Sequence, residues 1–499
     1  MERRAKIMAT LGPVSRDETV LRGLVRAGVD LFRLNLSHGT QEQHRETLRR
    51  VRRVAVEEGC HLPVVLDLMG PRYRLGTIPD EPQLLKPNQE VVLGPEAHDV
   101  DLPVDPEILE HLKPDERVLI DGGLIELRVT SKQGDRVRAK VINGGPVKTR
   151  KGINLPDSDL PFEVSEKDRA DIAFAVAEAA DYLAASYVGE GSHIEAVRAV
   201  VSAAGGRIPI IAKIERKTAI EKLDEITEAA DGLMVARGDL GVEVPLYTVP
   251  VLQKKIVAAG RLSGKPVIVA TQMLESMVEQ PRPTRAEATD VANAVFDGAD
   301  ALMLSGETAA GKYPVLVVET MARIIQEAED YARQTSSRPT LQPLGHVHAR
   351  RTFALDPDEP GSHDGDAAGA ELSLDVPDIV SAAAVQAAEQ IGVSRIVAFS
   401  QSGFTARLVA RYRPPSPIMA FTPDARVARQ IQLVWGVRPF VAEFQVGSLE
   451  DIVQVVEREL LAARLVKPGE RIIILMGHPV RERPLANLMR VHRIRPTSS

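Results

Sequence analysis

Short apolar runs, each closing on polar or charged residues, recur through the first two thirds of this chain with amphipathic segments between them. Runs at 6–10, 30–34, 64–67, 182–184, 208–213, 232–235, 266–270 and 301–304 are rich in Val, Ile, Leu and Ala. Continuous apolar runs of this length read as strands buried on both faces, as in parallel sheets. Segments 17–27 and 41–58 carry their apolar residues at helical spacing. Eight strands alternating with helices predict a (β/α)8 TIM barrel. An open doubly wound sheet shares the alternation, and the strand count decides between them.

The texture changes at 71–155. Stretches 90–93, 117–121, 124–130 and 135–142 alternate apolar and polar residues between Gly and Pro turns, which predicts a small β-rich insert. Residues 335–375 are rich in Pro, Gly, Asp and Ser and read as a flexible linker. His346, His348 and His363 within it read as solvated linker residues rather than metal ligands. From 376 to 499, strands at 395–399, 417–421, 438–442 and 471–476 alternate with helices, which predicts a doubly wound α/β unit. The organisation read from this is a barrel at 1–70 and 156–334, interrupted by the insert.

Composition excludes several classes. With 62 basic and 69 acidic residues, net charge −7, nothing favours nucleic acid as a partner. One cysteine, Cys60, leaves no internal disulfide and no cysteine-based zinc site, which fits a reducing compartment. No apolar run is long enough to span a membrane, and no apolar signal core follows the basic residues after Met1. The expectation is a cytoplasmic protein.

Chemistry collects at the strand ends. Lys213 and Glu215 are two apart on one strand, so ammonium and carboxylate emerge on the same face. Alone, such a pair is more readily a rim salt bridge than a site. The pattern recurs, however. Arg33, Asn35 and Ser37 alternate along 29–39, Asp67 closes another strand, Arg237-Gly238-Asp239 a third, and Thr271 a fourth. Polar residues delivered by several parallel strands describe the wall of one site.

These residues lie in strings that resemble one family along nearly the whole chain, the pyruvate kinases. The strings include Lys6-Ile-Met-Ala-Thr-Leu-Gly-Pro13, Phe32-Arg-Leu-Asn-Leu-Ser-His-Gly39, Ile211-Ala-Lys-Ile-Glu215, Met234-Val-Ala-Arg-Gly-Asp-Leu-Gly-Val-Glu243, Ala270-Thr-Gln-Met-Leu-Glu-Ser-Met277 and Leu304-Ser-Gly-Glu-Thr-Ala309. The resemblance implies a β-barrel lid for the insert, and transfer of a phosphoryl group from phosphoenolpyruvate to ADP, giving ATP and pyruvate as the last step of glycolysis. It also implies Mg2+ (or Mn2+) held by Glu215 and Asp239, both hard oxygen donors. Lys213 is implied at the phosphoryl group and enolate oxygen, and Arg33 on the phosphate. The backbone of Gly238 and Asp239 falls to the substrate carboxylate, and Thr271 to the proton relay, where no adjacent base marks it as a nucleophile. Arg237 is read as orienting the Gly238–Asp239 turn. Asn35, His38, Arg74 and Lys151 match the family's nucleotide contacts, and a homotetramer is the family's expected assembly.

The chain departs from the family in three places. Potassium-dependent members read Asp-Thr-Lys-Gly-Pro-Glu where this chain reads Asp67-Leu-Met-Gly-Pro-Arg72. Asn35, Ser37, Asp67 and the Leu68 carbonyl match the family's K+ ligands, and Arg72 is read as a fixed cation that replaces K+. Ile120-Asp121-Gly-Gly123 replaces a paired-aspartate turn, leaving Asp121 as the lid carboxylate. The segment from Gly477 to Asn487 lacks the family's glycine-rich form, and Ser400-Gln-Ser-Gly-Phe-Thr-Ala-Arg407 reads equally as an effector-phosphate loop or a plain strand-to-helix turn. Two other functions stay open at this point. One is a metal-dependent enolate lyase or aldolase on the same barrel, which would not need Arg74 or Lys151. The other is a catalytically altered homologue that only binds metabolites.

Overall fold

The computed structural model describes residues 3–79, 81–96, 100–158, 160–335, 376–443, 449–477 and 485–495. His346, His348 and His363 lie outside the described residues, as do the linker beyond Thr335 and most of the segment read at 477–487. Eight parallel strands close into a barrel: β1 (Lys6–Thr10), β2 (Leu31–Asn35), β3 (Val64–Asp67), β4 (Tyr182–Ala185), β5 (Ile210–Ile214), β6 (Gly232–Ala236), β7 (Val267–Ala270) and β8 (Ala301–Leu304). Every strand pairs with its sequence neighbour, and β8 returns to β1. The expected strands are all present, with edges shifted by up to two residues.

Period-2 alternation sorts the strand residues. Met8, Leu31, Val65, Ile211, Met234 and Ile268 fill the barrel interior, while Ile7, Phe32, Leu66, Ala212 and Val235 face the surrounding helices. Local chemistry sets the helix ends. Asp17 accepts from the backbone N–H of Thr19 and Val20 to cap Glu18–Ala27, and Gly28 (φ 113°) ends that helix in a left-handed turn that favours glycine. Thr40 and Gln43 form a reciprocal capping box on Gln41–Glu57.

Between β3 and β4 the chain builds the insert. Its main sheet has six strands ordered Ile153–Asn154, Arg117–Ile120, Ile125–Gln133, Arg136–Asn143, Glu90–Gly94 and Leu102–Pro103, and a two-stranded ribbon pairs Gly145–Val147 with Gln83–Leu85. Leu93, Ile108, Val118, Leu127, Val137 and Val141 form its separate core. The C-terminal sheet adds β9 (Arg395–Phe399), β10 (Ile418–Thr422), β11 (Val437–Val441), β12 (Arg471–Met476) and β13 (Leu488–Arg493) in the order β11-β10-β9-β12-β13. The last strand, antiparallel and at the edge, is not foreseen by the sequence reading.

The C-terminal unit closes the floor of the barrel. Leu433 joins the interior cluster, the Tyr182 hydroxyl donates to the Gln430 carbonyl at 2.9 Å, and Lys6 Nζ donates to the Val437 carbonyl at 2.7 Å. Asp181, with 0% exposure, ties three elements together. It accepts from the Val64 N–H (2.8 Å), Arg52 (2.8 Å) and Arg429 (2.7 Å). Asp181→Ala strands a buried N–H and leaves two arginines unpaired, so it should cost about 3–5 kcal/mol of unfolding free energy. Urea denaturation followed by circular dichroism measures it, and a loss below about 1 kcal/mol contradicts this account.

Candidate active site

Because all eight strands run parallel, their C-terminal ends gather at one mouth. Register brings the polar ends together: Thr10 lies opposite Arg33, Asn35 opposite Asp67, and Lys213 opposite Met234 on the strand that leads into Arg237 and Asp239.

Lys213 stands at the centre. Its Nζ donates to Ser186 Oγ at 2.6 Å and lies 3.4 Å from Asp67 Oδ1 and 3.3 Å from Glu215 Oε2. Glu215 lies one residue past β5 rather than on it, yet its carboxylate still meets the Lys213 ammonium. Glu215, 1% exposed, holds Oε1 against the Tyr187 N–H at 2.5 Å, while Oε2 is buried outside hydrogen-bonding geometry with any donor. Arg33 lays Nε and Nη2 on Asp67 Oδ2 (2.7 and 2.6 Å) and Nη1 on Thr10 Oγ (3.2 Å).

Asp67 therefore has two cations, and Glu215 only a share of one. Burial resists the charge on Asp67, yet Lys213 and Arg33 outweigh it and hold that carboxyl below its usual range. Burial likewise resists the Lys213 charge, but Asp67 and then Glu215 raise its affinity for the proton above the ordinary lysine value. Glu215 goes the other way: burial pushes it up to about 7, Lys213 opposes, and Asp239 adds to the rise. The pairing at 3.3 Å and the upward shift pull in opposite senses, and burial prevails because the ammonium is shared with Asp67. Three carboxylates (Asp67, Glu215, Asp239) against two cations (Lys213, Arg33) leave an anionic mouth with a free oxygen.

At the end of the neighbouring strand β6, Arg237 starts the helix Arg237–Glu243 and donates to Asp290 (2.7 Å) and to the carbonyls of Ala270 (3.3 Å) and Thr271 (2.6 Å). It braces the start of this helix against the end of β7, and its bonds go to Ala270, Thr271 and Asp290 rather than to the Gly238–Asp239 turn it is read as orienting. Thr271 holds φ +71°, costly for a β-branched residue. Its hydroxyl donates to the Ala270 carbonyl (2.6 Å) and accepts from the Gly238 N–H (2.7 Å). The Gly238 N–H expected at a substrate carboxylate is thus engaged by Thr271 in this structure.

The remaining expected residues are spread along the rim. Ser37 is not on the strand with Arg33 and Asn35, because β2 ends at Asn35; Ser37 sits in the next turn and donates its N–H to Asn35 Oδ1 at 3.1 Å. The Leu68 carbonyl accepts from Ser186 Oγ at 2.8 Å. Arg72 is exposed rather than seated on Asp67, where the cations are Arg33 and Lys213. A side chain added at Gly152 would meet its guanidinium at 3.5 Å, and its charge acts on the Tyr187 phenol. His38 and Arg74 are exposed, with Arg74 donating to the Arg150 carbonyl at 2.9 Å. Lys151 pairs with Asp121 at 2.8 Å across the insert. In the C-terminal loop, Ser400, Thr405 and Arg407 are all buried, and Ser400 Oγ accepts from the Thr405 N–H at 3.3 Å.

Sequence reasoning missed Ser186 and the Tyr187 N–H. Ser186 directly follows β4, so the rule that strand ends carry the chemistry could have found it. A backbone donor such as Tyr187 N–H leaves no sequence signal.

The profile described as "Pyruvate kinase, barrel domain" matches residues 2–318, and "Pyruvate kinase, alpha/beta domain" matches residues 378–492. Over 499 residues the chain is 39% identical to a pyruvate kinase of Mycobacterium tuberculosis, covering 99% of each. It is 38% identical to one of Geobacillus stearothermophilus, covering 99% of this chain and 81% of the relative. A solved pyruvate kinase structure from Cryptosporidium parvum superposes with a TM-score of 0.86 at 31% identity, covering 99% of this chain and 96% of that one.

Proposed function

The chain belongs to the pyruvate kinase family, and from that premise we propose that it transfers the phosphoryl group of phosphoenolpyruvate to ADP and releases pyruvate. The observation that carries this reading is Lys213, whose Nζ stands between Asp67 and Glu215 beside an unsatisfied buried Glu215 oxygen. Phosphoryl transfer is mostly positioning and charge stabilisation, which asks for a fixed cation where negative charge peaks in flight. Lys213 supplies it, and stays protonated throughout. Arg33, oriented by Asp67, turns its remaining N–H groups to the phosphate. The backbone of Gly238 and Asp239 takes the substrate carboxylate once Thr271 yields the Gly238 N–H. Thr271, so released, relays the proton to the enolate carbon through water. Asn35, His38, Arg74 and Lys151 bind the nucleotide, and closure of the insert over the mouth shifts Lys151 from Asp121 to a phosphate.

A divalent ion fits the donor set. Glu215 Oε2 is buried without a partner, Asp239 acts on the same carboxyl, and the local charge is short of cations. Mg2+ or Mn2+ would be held by Glu215 and Asp239, both hard oxygen donors. Bound there, the ion would supply Lewis-acid neutralisation of phosphate charge.

We read the K+ site (Asn35, Ser37, Asp67, Leu68) as dispensable. Asn35 Oδ1, the Asp67 carboxylate and the Leu68 carbonyl each already accept from a protein donor. Arg72 adds positive field from the rim rather than by contact. Activity in Na+- and K+-free buffer should therefore rise less than about tenfold when K+ is added. A larger rise restores the requirement.

The decisive experiment is a coupled assay with phosphoenolpyruvate, ADP and Mg2+. Pyruvate formation that depends on ADP supports the proposal. Formation without ADP favours the lyase reading, and no turnover with retained ligand binding favours the altered homologue. A homotetramer in the cytoplasm is the accompanying expectation. No helix among the described residues is long and apolar enough to cross a membrane.

A further inference from the structure

Outside the catalytic mouth, a cavity of about 680 Å3 opens between residues 156–158 and 160–162, the turn after β4 and the segment that follows β5. Arg216 lines it at only 8% exposure. Among the described residues no hydrogen bond or ion pair engages its guanidinium; it acts on Glu243 and on the Tyr73 phenol from beyond salt-bridge distance. Its guanidinium faces the cavity with its donors unmatched, and an anion seated there would complete them. The neighbouring carboxylates do not serve. Arg117 holds Asp157 through two N–H groups at 2.8 and 2.9 Å, and Lys222 with Ser192 engages Glu190.

Two further features shape the space. Thr218 Oγ is buried with no partner. The bare Cα of Gly189 leaves room beside it: a methyl group there would stand 3.0 Å from Thr218 Oγ and 3.5 Å from Arg216 Nη1. Lys217, only 4.0 Å from Asp157, adds a second positive charge on the same wall, and exposed Glu221 at the cavity's edge is the remaining opposing charge. A guanidinium fork, an adjacent lysine and a hydroxyl suit a phosphate dianion, and the volume suits a small metabolite.

We propose that this cavity binds a small phosphate-bearing molecule, anchored by Arg216 with Thr218 and the open edge of Gly189. Its occupant touches both the chain returning from the insert and the barrel, one residue beyond Glu215.

The test is equilibrium dialysis of the full chain against labelled inorganic phosphate, which counts bound phosphates per chain. Other phosphate sites are common to every variant and cancel in the comparison. Arg216→Gln should bind one phosphate fewer than the unsubstituted chain. Gly189→Ala, which fills the gap without removing charge, should weaken that same site at least fivefold. Circular dichroism checks the fold of each, and if Arg216→Gln does not fold, Gly189→Ala carries the test. Equal phosphate number and affinity in the folded variants overturns the proposal. The readout is bound phosphate rather than turnover, so the result does not depend on the reaction proposed above.

Discussion

Lys213→Met should lower turnover by about 10³-fold or more, roughly 4 kcal/mol of lost transition-state stabilisation. Methionine keeps the length of the side chain and the packing of its stem, so the change removes charge rather than shape. What is lost is a preorganised cation. Its Nζ is fixed by Ser186 at 2.6 Å and by carboxylates at 3.3 and 3.4 Å, and nothing needs to reorganise when charge develops beside it. The substitution also leaves Asp67 and Glu215 facing each other with one cation fewer, and stability should fall by a few kcal/mol. The barrel, with the helices packed around it, is large enough to survive that loss. Steady-state assay of pyruvate formation, alongside a thermal melt, separates the two effects. A folded variant with activity within tenfold of the unsubstituted chain refutes the role. A loss confined to KM would move Lys213 from the transition state to ground-state binding.

That prediction rests on a residue visible in the sequence. Ile210–Ile214 is an apolar β-branched run interrupted by one lysine, a violation of core patterning that marks a site. The same logic finds Arg33, Asp67 and Asp239, and eight such runs suffice for the barrel. Where the reading falls short, the causes are physical. Leu488–Arg493 alternates hydrophobic residues with arginine and histidine on an exposed edge, so it lacks the apolar continuity of the inner strands. Ser37 keeps the period of β2 in sequence but lies beyond it, because Asn35 uses its side chain to turn the chain. Arg72, read from the family's motif as a cation in place of K+, has a side chain that is exposed and lies beside Gly152 of the insert, a placement the motif does not record. The left-handed backbone of Thr271 and the donor role of the Tyr187 N–H depend on tertiary context that no local pattern records.

Glu215→Gln should raise the Mg2+ or Mn2+ concentration needed for half-maximal activity by about 100-fold, and cut turnover at saturating metal by at least about tenfold. The amide is nearly isosteric, and its carbonyl can keep the Tyr187 N–H bond now made by Oε1 at 2.5 Å. The site loses only the second oxygen, which is buried, lacks a hydrogen-bond donor and shares its lysine with Asp67. That oxygen is the strongest reason to seat a divalent ion here. With it replaced by an N–H group, Asp239 remains as the sole anionic ligand from this pair. Mn2+ binding followed by electron paramagnetic resonance gives the affinity directly, without turnover. An unchanged Mn2+ affinity would remove Glu215 from the metal site and leave its buried carboxylate as a positioning partner of Lys213. Glu215→Asp discriminates further. It restores the charge on a shorter arm, so it should recover metal binding in part while leaving turnover low if the position of the ion, and not its presence alone, sets the rate.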